Sequence, residues 1–87
     1  MEDNNLTGNE LEYDEEIDTR GLYCPEPLFE VRNLSETLDI GQCFKVLADD
    51  PAAEEDIKRF AKRTGHDLIS YEQLEDGLHR FLIRKKE

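Results

Sequence analysis

The stretch Gly21-Leu22-Tyr23-Cys24-Pro25-Glu26-Pro27-Leu28 seats one cysteine directly ahead of a Pro-x-Pro entry to an amphipathic segment. A proline suits the first helical position, because its fixed φ is already helical and its missing N–H had no intrahelical partner there. Cys24 is therefore expected as the helix N-cap. A sulfur so placed meets free backbone N–H groups and the positive end of the helix dipole, and both favour the thiolate, the nucleophilic form. Pro25 and Pro27 carry no N–H, which narrows the first-turn donors to that of Glu26 and, one step further in, Leu28. Gly21 is expected to supply an unusual backbone turn before the cysteine. Arg20 could offset the negative charge of Glu26 beside the sulfur and lower the thiol pKa; an ordinary solvated arginine at a strand end is the alternative. Glu26 opposes the thiolate by charge yet complements the helix dipole.

The remaining nucleophilic or ligating side chains form no second constellation. Cys43 opens an apolar run and reads as structural, with a resolving partner for Cys24 as the alternative. Two cysteines at 24 and 43 match neither a secreted disulfide framework, nor a C-x-x-C redox pair, nor a zinc ligand set, so no metal is expected. His66 and His79 are expected at the surface. Lys58, Arg59, Lys62 and Arg63 make a basic stripe opposite the apolar face of their segment. Glu54 and Glu55 stand four residues before Lys58 and Arg59, the ordinary pairing of a solvated helix. Arg80, Arg84, Lys85 and Lys86 form a second basic group.

The elements that must position Cys24 follow from periodicity. A short strand is expected over Glu16-Ile17-Asp18-Thr19, then a turn at Arg20-Gly21. A helix from Pro25 to Leu38 places Leu28, Val31, Leu34 and Leu38 on one stripe. Cys43–Ala48 reads as a second strand, and Asp50 or Pro51 opens a second helix carrying Ile57, Phe60, Ala61 and Thr64 on one face. Gly65 stands where a left-handed C-terminal residue is wanted. Residues 67–73 and 78–84 read as strands joined through Glu75-Asp76-Gly77, a hairpin signal. The order βαβαββ implies an α/β two-layer sandwich, with both helices on one face of a four-stranded mixed sheet.

Size and charge bound what this scaffold can do. A chain of 87 residues holds one small domain with little interior for an enclosed substrate pocket. The net charge is −11, but residues 1–16 hold seven acids and no base, leaving 15 acids against 11 bases. Residues 1–15 read as a disordered acidic tail and 16–87 as the domain. Nucleic-acid binding, driven by counterion release onto a net basic face, is not expected. No segment has the apolar length of a signal-peptide core or a membrane span, and free cysteines suit a reducing compartment, so a cytoplasmic protein is expected.

Several segments together resemble a known family: Gly21-Leu22-x-Cys24-Pro25-x-Pro27, Ala48-Asp49-Asp50-Pro51-Ala52, Asp56-Ile57, Gly65-His66 and Phe81-x-Ile83-Arg84-Lys85. Between about Ile17 and Lys86 the chain resembles the TusA/SirA/YedF sulfur carrier proteins. Many members carry Trp where Phe60 stands, and the acidic tail lies outside the family pattern. The resemblance implies that Cys24 accepts sulfane sulfur as a persulfide from a cysteine desulfurase or another sulfurtransferase, such as a rhodanese-type enzyme. Relay to a downstream acceptor protein would follow, in tRNA thiolation, molybdenum cofactor synthesis or sulfur metabolism. A monomeric carrier is expected, without independent turnover or cofactor beyond the transient persulfide. Two other functions remain open: a regulatory protein-interaction module in which Cys24 is dispensable, and a thiol redox protein pairing Cys24 with Cys43.

Overall fold

Alternation of side chains along Cys43-Phe44-Lys45-Val46-Leu47-Ala48 builds the strand that organises the molecule. Phe44, Val46 and Ala48 are fully buried, whereas Lys45 and Leu47 are only half-buried. In the computed structural model, which describes residues 13–86, this strand is β2. The full order is β1 (Glu15–Asp18), α1 (Glu26–Thr37), β2 (Cys43–Ala48), α2 (Ala53–Thr64), β3 (Asp67–Gln73), a 3-10 turn (Glu75–Gly77) and β4 (His79–Arg84).

The sheet runs β1-β2-β4-β3. β1 pairs parallel to β2, with Ile17 opposite Val46. β4 pairs antiparallel with β2, setting Phe81 opposite Val46, and with β3, setting Phe81 opposite Tyr71. The parallel pair needs a crossover, and α1 supplies it. Val31 of α1 and Ala53, Ile57 and Phe60 of α2 enter one core with Phe44, Val46, Ala48, Phe81 and Ile83 of the sheet. Both helices thus cover one face of a four-stranded mixed sheet, the expected two-layer sandwich. Leu28 and Leu34 lie at the margin of this core, half-buried against it.

Several boundaries move for identifiable reasons. α2 starts at Ala53 and not at Asp50 or Pro51, because Asp50 closes a turn ahead of it. Its carboxylate accepts from the Ala52 N–H at 3.2 Å and its carbonyl from the Ala53 N–H at 3.0 Å. Gly65 does end the helix in the left-handed region, at φ 82°. At the hairpin, Asp76 and Gly77 both carry positive φ, 61° and 73°, which matches the strand twist as a type I′ turn does.

Residues 13–15, assigned above to the tail, are tied to the sheet. The Asp14 N–H donates to the Cys43 carbonyl at 2.8 Å, its carboxylate accepts from the Cys43 N–H at 2.9 Å, and Glu15 opens β1. The rest of the expected tail, residues 1–12, lies outside the described residues.

The histidines depart from expectation as well, since both are buried. The Lys86 N–H donates to His66 Nδ1 at 3.2 Å, and His79 Nδ1 lies 2.6 Å from the Tyr71 hydroxyl. Among the described residues no helix is long and apolar enough to cross a membrane.

Candidate functional site

The Cys24 segment is a loop suspended from the end of β2. Thr19, fully buried, continues the parallel ladder: its N–H and its hydroxyl both donate to the Leu47 carbonyl, at 2.7 and 2.6 Å. Its own carbonyl accepts from the Leu22 N–H at 3.1 Å, which turns the chain. Gly21 sits at the bend with φ 88°, a conformation that glycine adopts without penalty, and its N–H donates to Asp49 Oδ1 at 3.0 Å. The loop is thereby fastened to the Asp49-Asp50 turn that leads into α2.

Cys24 does not cap α1. The Glu26 N–H donates to the Tyr23 carbonyl at 2.8 Å, closing a turn that contains Cys24 and Pro25. The N-cap is Pro25, the helix begins at Glu26, and the Cys24–Pro25 peptide bond is cis. The donor expected to steady the sulfur, the Glu26 N–H, is therefore already engaged. Pro27 is buried in the first turn of α1, while Cys24, Pro25 and Glu26 are exposed.

The sulfur turns instead towards α2. Cys24 Sγ lies 3.3 Å from Asp56 Oδ2, with the thiol as donor. This contact raises the thiol pKa: the hydrogen bond to Asp56 holds the proton, partial burial disfavours charge, and the negative charges of Asp56 and then Asp50 repel a thiolate. The expected depression of the thiol pKa is thus reversed. Arg20 does not counter it, because its guanidinium is committed to Asp18 at 2.7–3.2 Å and its backbone N–H donates to the same carboxylate at 3.0 Å. That clamp holds the Asp18 carboxyl at about 2, well below its usual range.

Asp56 was missed as a functional candidate, though the periodicity contained a signal. Ala53, Ile57, Phe60 and Ala61 are the buried stripe of α2, and Asp56, three residues after Ala53, falls on its flank. Its other oxygen, Oδ1, faces Arg59 at 3.6 Å. The basic stripe on this helix is partly paired as expected, with Lys58 meeting Glu54 at 2.7 Å.

Cys43 is buried at the start of β2, and both cysteines are free thiols. Among the described residues no group of three His, Cys, Asp or Glu side chains is arranged to hold a metal ion. Two large apolar side chains close to Cys24 in sequence are exposed, Tyr23 at 69% and Phe29 at 46%. Cys24 is thus an exposed thiol on a loop fastened to the sheet and to the turn that leads into α2.

Comparisons with known proteins agree with this architecture. A protein of Archaeoglobus fulgidus is 46% identical over 69 residues, spanning 79% of this chain and 90% of its own. The sulfur carrier proteins TusA of Pseudomonas syringae pv. syringae and of Allochromatium vinosum are 41% and 36% identical, over 87% and 85% of this chain and 89% and 96% of theirs. The crystal structure of a SirA-like protein from Desulfitobacterium hafniense superimposes with a TM-score of 0.73 at 24% identity, covering 85% of this chain and all of that one, and so shares the fold. Residues 15–85 match the family described as sulfurtransferase TusA, and the chain belongs to that family of sulfur carriers.

Proposed function

We propose that Cys24 carries sulfur as a persulfide, accepting it from a donor protein such as a cysteine desulfurase or a rhodanese-like enzyme and relaying it to an acceptor protein. The observation that carries this reading is the exposed Cys24 thiol, held on a loop fastened to the sheet and α2. A carrier must present the same sulfur to two different active sites. An open perch serves that better than a cleft.

In loading, Cys24 sulfur attacks the terminal sulfur of the donor persulfide, the new S–S bond forms, and the donor cysteine departs as a thiolate. In discharge the roles invert. The sulfane sulfur passes between thiols with no net oxidation. The exposed Tyr23 and Phe29, one and five residues from Cys24 in sequence, offer a docking partner apolar area. Tyr23, Pro25, Glu26 and Pro27 shape the perch, Gly21 provides its bend, and Arg20 braces the end of β1 through Asp18.

Incubation with a cysteine desulfurase and sulfur-radiolabelled cysteine tests the reading. Label is expected on the wild-type chain and on Cys43→Ser, and absent from Cys24→Ser. Function retained in cells by Cys24→Ser would instead favour a protein-interaction module.

A further inference from the structure

We infer that Asp56 is the catalytic base and acid of sulfur transfer, taking the Cys24 thiol proton as sulfur arrives and returning it as sulfur leaves. This inference rests on Cys24 being the carrier residue. It follows from the contact between the reacting sulfur and Asp56 Oδ2, 3.3 Å apart, in a chain where two of the groups expected to favour the thiolate are engaged elsewhere. The Glu26 N–H is bound to the Tyr23 carbonyl, and Arg20 is bound to Asp18.

The carboxylate is held for this task. Ile57, adjacent in sequence, is fully buried and fixes the rotation of α2, and the Asp56 N–H is bonded within the helix to the Ala52 carbonyl at 3.1 Å. Arg59 from the next turn approaches Oδ1, leaving Oδ2 to the thiol. The charged groups that act on the sulfur are therefore Asp56 from α2 and Asp50 from the preceding turn. The surroundings of Cys24 are acidic, and they keep the empty carrier as a thiol.

A thiol attacks poorly, so its proton must leave as the S–S bond forms, when the sulfur becomes strongly acidic. The balanced loading step takes the donor persulfide R–S–SH, the Cys24 thiol and the Asp56 carboxylate to the donor thiolate R–S⁻, Cys24–S–SH and the Asp56 carboxylic acid. One S–S bond forms, one breaks, and charge is conserved. Discharge runs the other way: an acceptor thiolate takes the terminal sulfur, and Cys24 departs while regaining its proton from Asp56. Proton return matters here, since a thiol of raised pKa is a slow leaving group as a bare thiolate.

Asp56→Asn tests the assignment through two readouts that move in opposite directions. Removing the carboxylate relieves the repulsion of a Cys24 thiolate, so iodoacetamide should alkylate the variant faster than wild type at neutral pH. Sulfur loading from a cysteine desulfurase should nevertheless fall, by about 10²-fold, the lower range of general acid–base catalysis. Asp56→Glu, which restores a carboxylate, should recover part of the loading. Loading that rises together with alkylation, or stays unchanged, would overturn the assignment. Should Asn at 56 prevent folding, the pH profile of loading by Asp56→Glu decides: an acid limb displaced from that of wild type supports the inference, and an unmoved one refutes it. A wild-type protein that takes no sulfur on Cys24 would refute the carrier reading itself, an outcome separable from these.

Discussion

The loop that presents Cys24 depends on one buried hydroxyl, and replacing it gives a quantitative test. Thr19 is fully buried, and its hydroxyl donates to the Leu47 carbonyl at 2.6 Å. Thr19→Val keeps the branched shape and strand preference but removes the donor. The Leu47 carbonyl keeps the Thr19 backbone N–H at 2.7 Å, so no buried acceptor is orphaned. The loss is then the net value of one hydrogen bond, about 1 kcal/mol. A methyl cannot approach a carbonyl oxygen as closely as the hydroxyl does, and the accompanying shift brings the expected total to about 1–2 kcal/mol. In a domain of this size each kcal/mol lowers Tm by about 4–8 °C. Urea denaturation should show a lower midpoint at unchanged m, because the surface exposed on unfolding is the same. Unchanged Tm and urea midpoint would refute the role given to this hydroxyl. A loss well above 3 kcal/mol would refute the claim that the Leu47 carbonyl stays satisfied.

Two further perturbations separate structural from chemical roles. The Arg20 clamp depresses the Asp18 pKa from 3.8 to about 2. The folded value lies below the unfolded one, so its stabilisation is present above the unfolded pKa and is lost as pH falls towards 2. Carboxyl NMR titration should place the Asp18 midpoint near 2, and Asp18→Asn should remove this part of the acid sensitivity in melts; a midpoint at the ordinary value would contradict the clamp. Cys43→Ser should leave sulfur loading intact while lowering stability by about 1 kcal/mol, since it puts a hydroxyl in a buried site. A loading defect matching that of Cys24→Ser would indicate a shared role for the two thiols.

The scaffold was legible where one strong local rule applied. β2 and β3 fall on their expected residues, β2 through its alternating apolar side chains and β3 through its β-branched, aromatic and aliphatic content between Gly65 and the hairpin residues. The parallel pairing of β1 with β2 followed from the crossover rule, given α1 between two strands. The helix starts were less legible. Pro25-x-Pro27 and Asp50-Pro51 both mark an N-terminus, yet each segment first makes a turn, closed by the Glu26 N–H in one case and by Asp50 in the other. Such turns arise from contacts that propensity does not encode.

At the candidate site, the sequence motif singled out Cys24 without revealing the electrostatic surroundings that the fold gives it. Helix-cap reasoning is local, and locally the sulfur stands before a helix dipole. The carboxylate that decides its protonation lies 32 positions away in sequence and reaches it through the packing of α2 on the common core. Arg20 illustrates the same point in reverse: Asp18, two residues back, claims it before Glu26 can. The burial of His66 and His79 has a similar origin, since Phe60 and Tyr71, respectively, pack against their rings.

Peptide mass spectrometry after incubation with a cysteine desulfurase and cysteine tests the central claim most directly. A mass gain of one sulfur atom is expected on the peptide containing Cys24, retained in Cys43→Ser and lost in Cys24→Ser. Absence of added sulfur with several donor enzymes would contradict the carrier account, and a loss of two hydrogens linking Cys24 to Cys43 would contradict it in favour of redox chemistry.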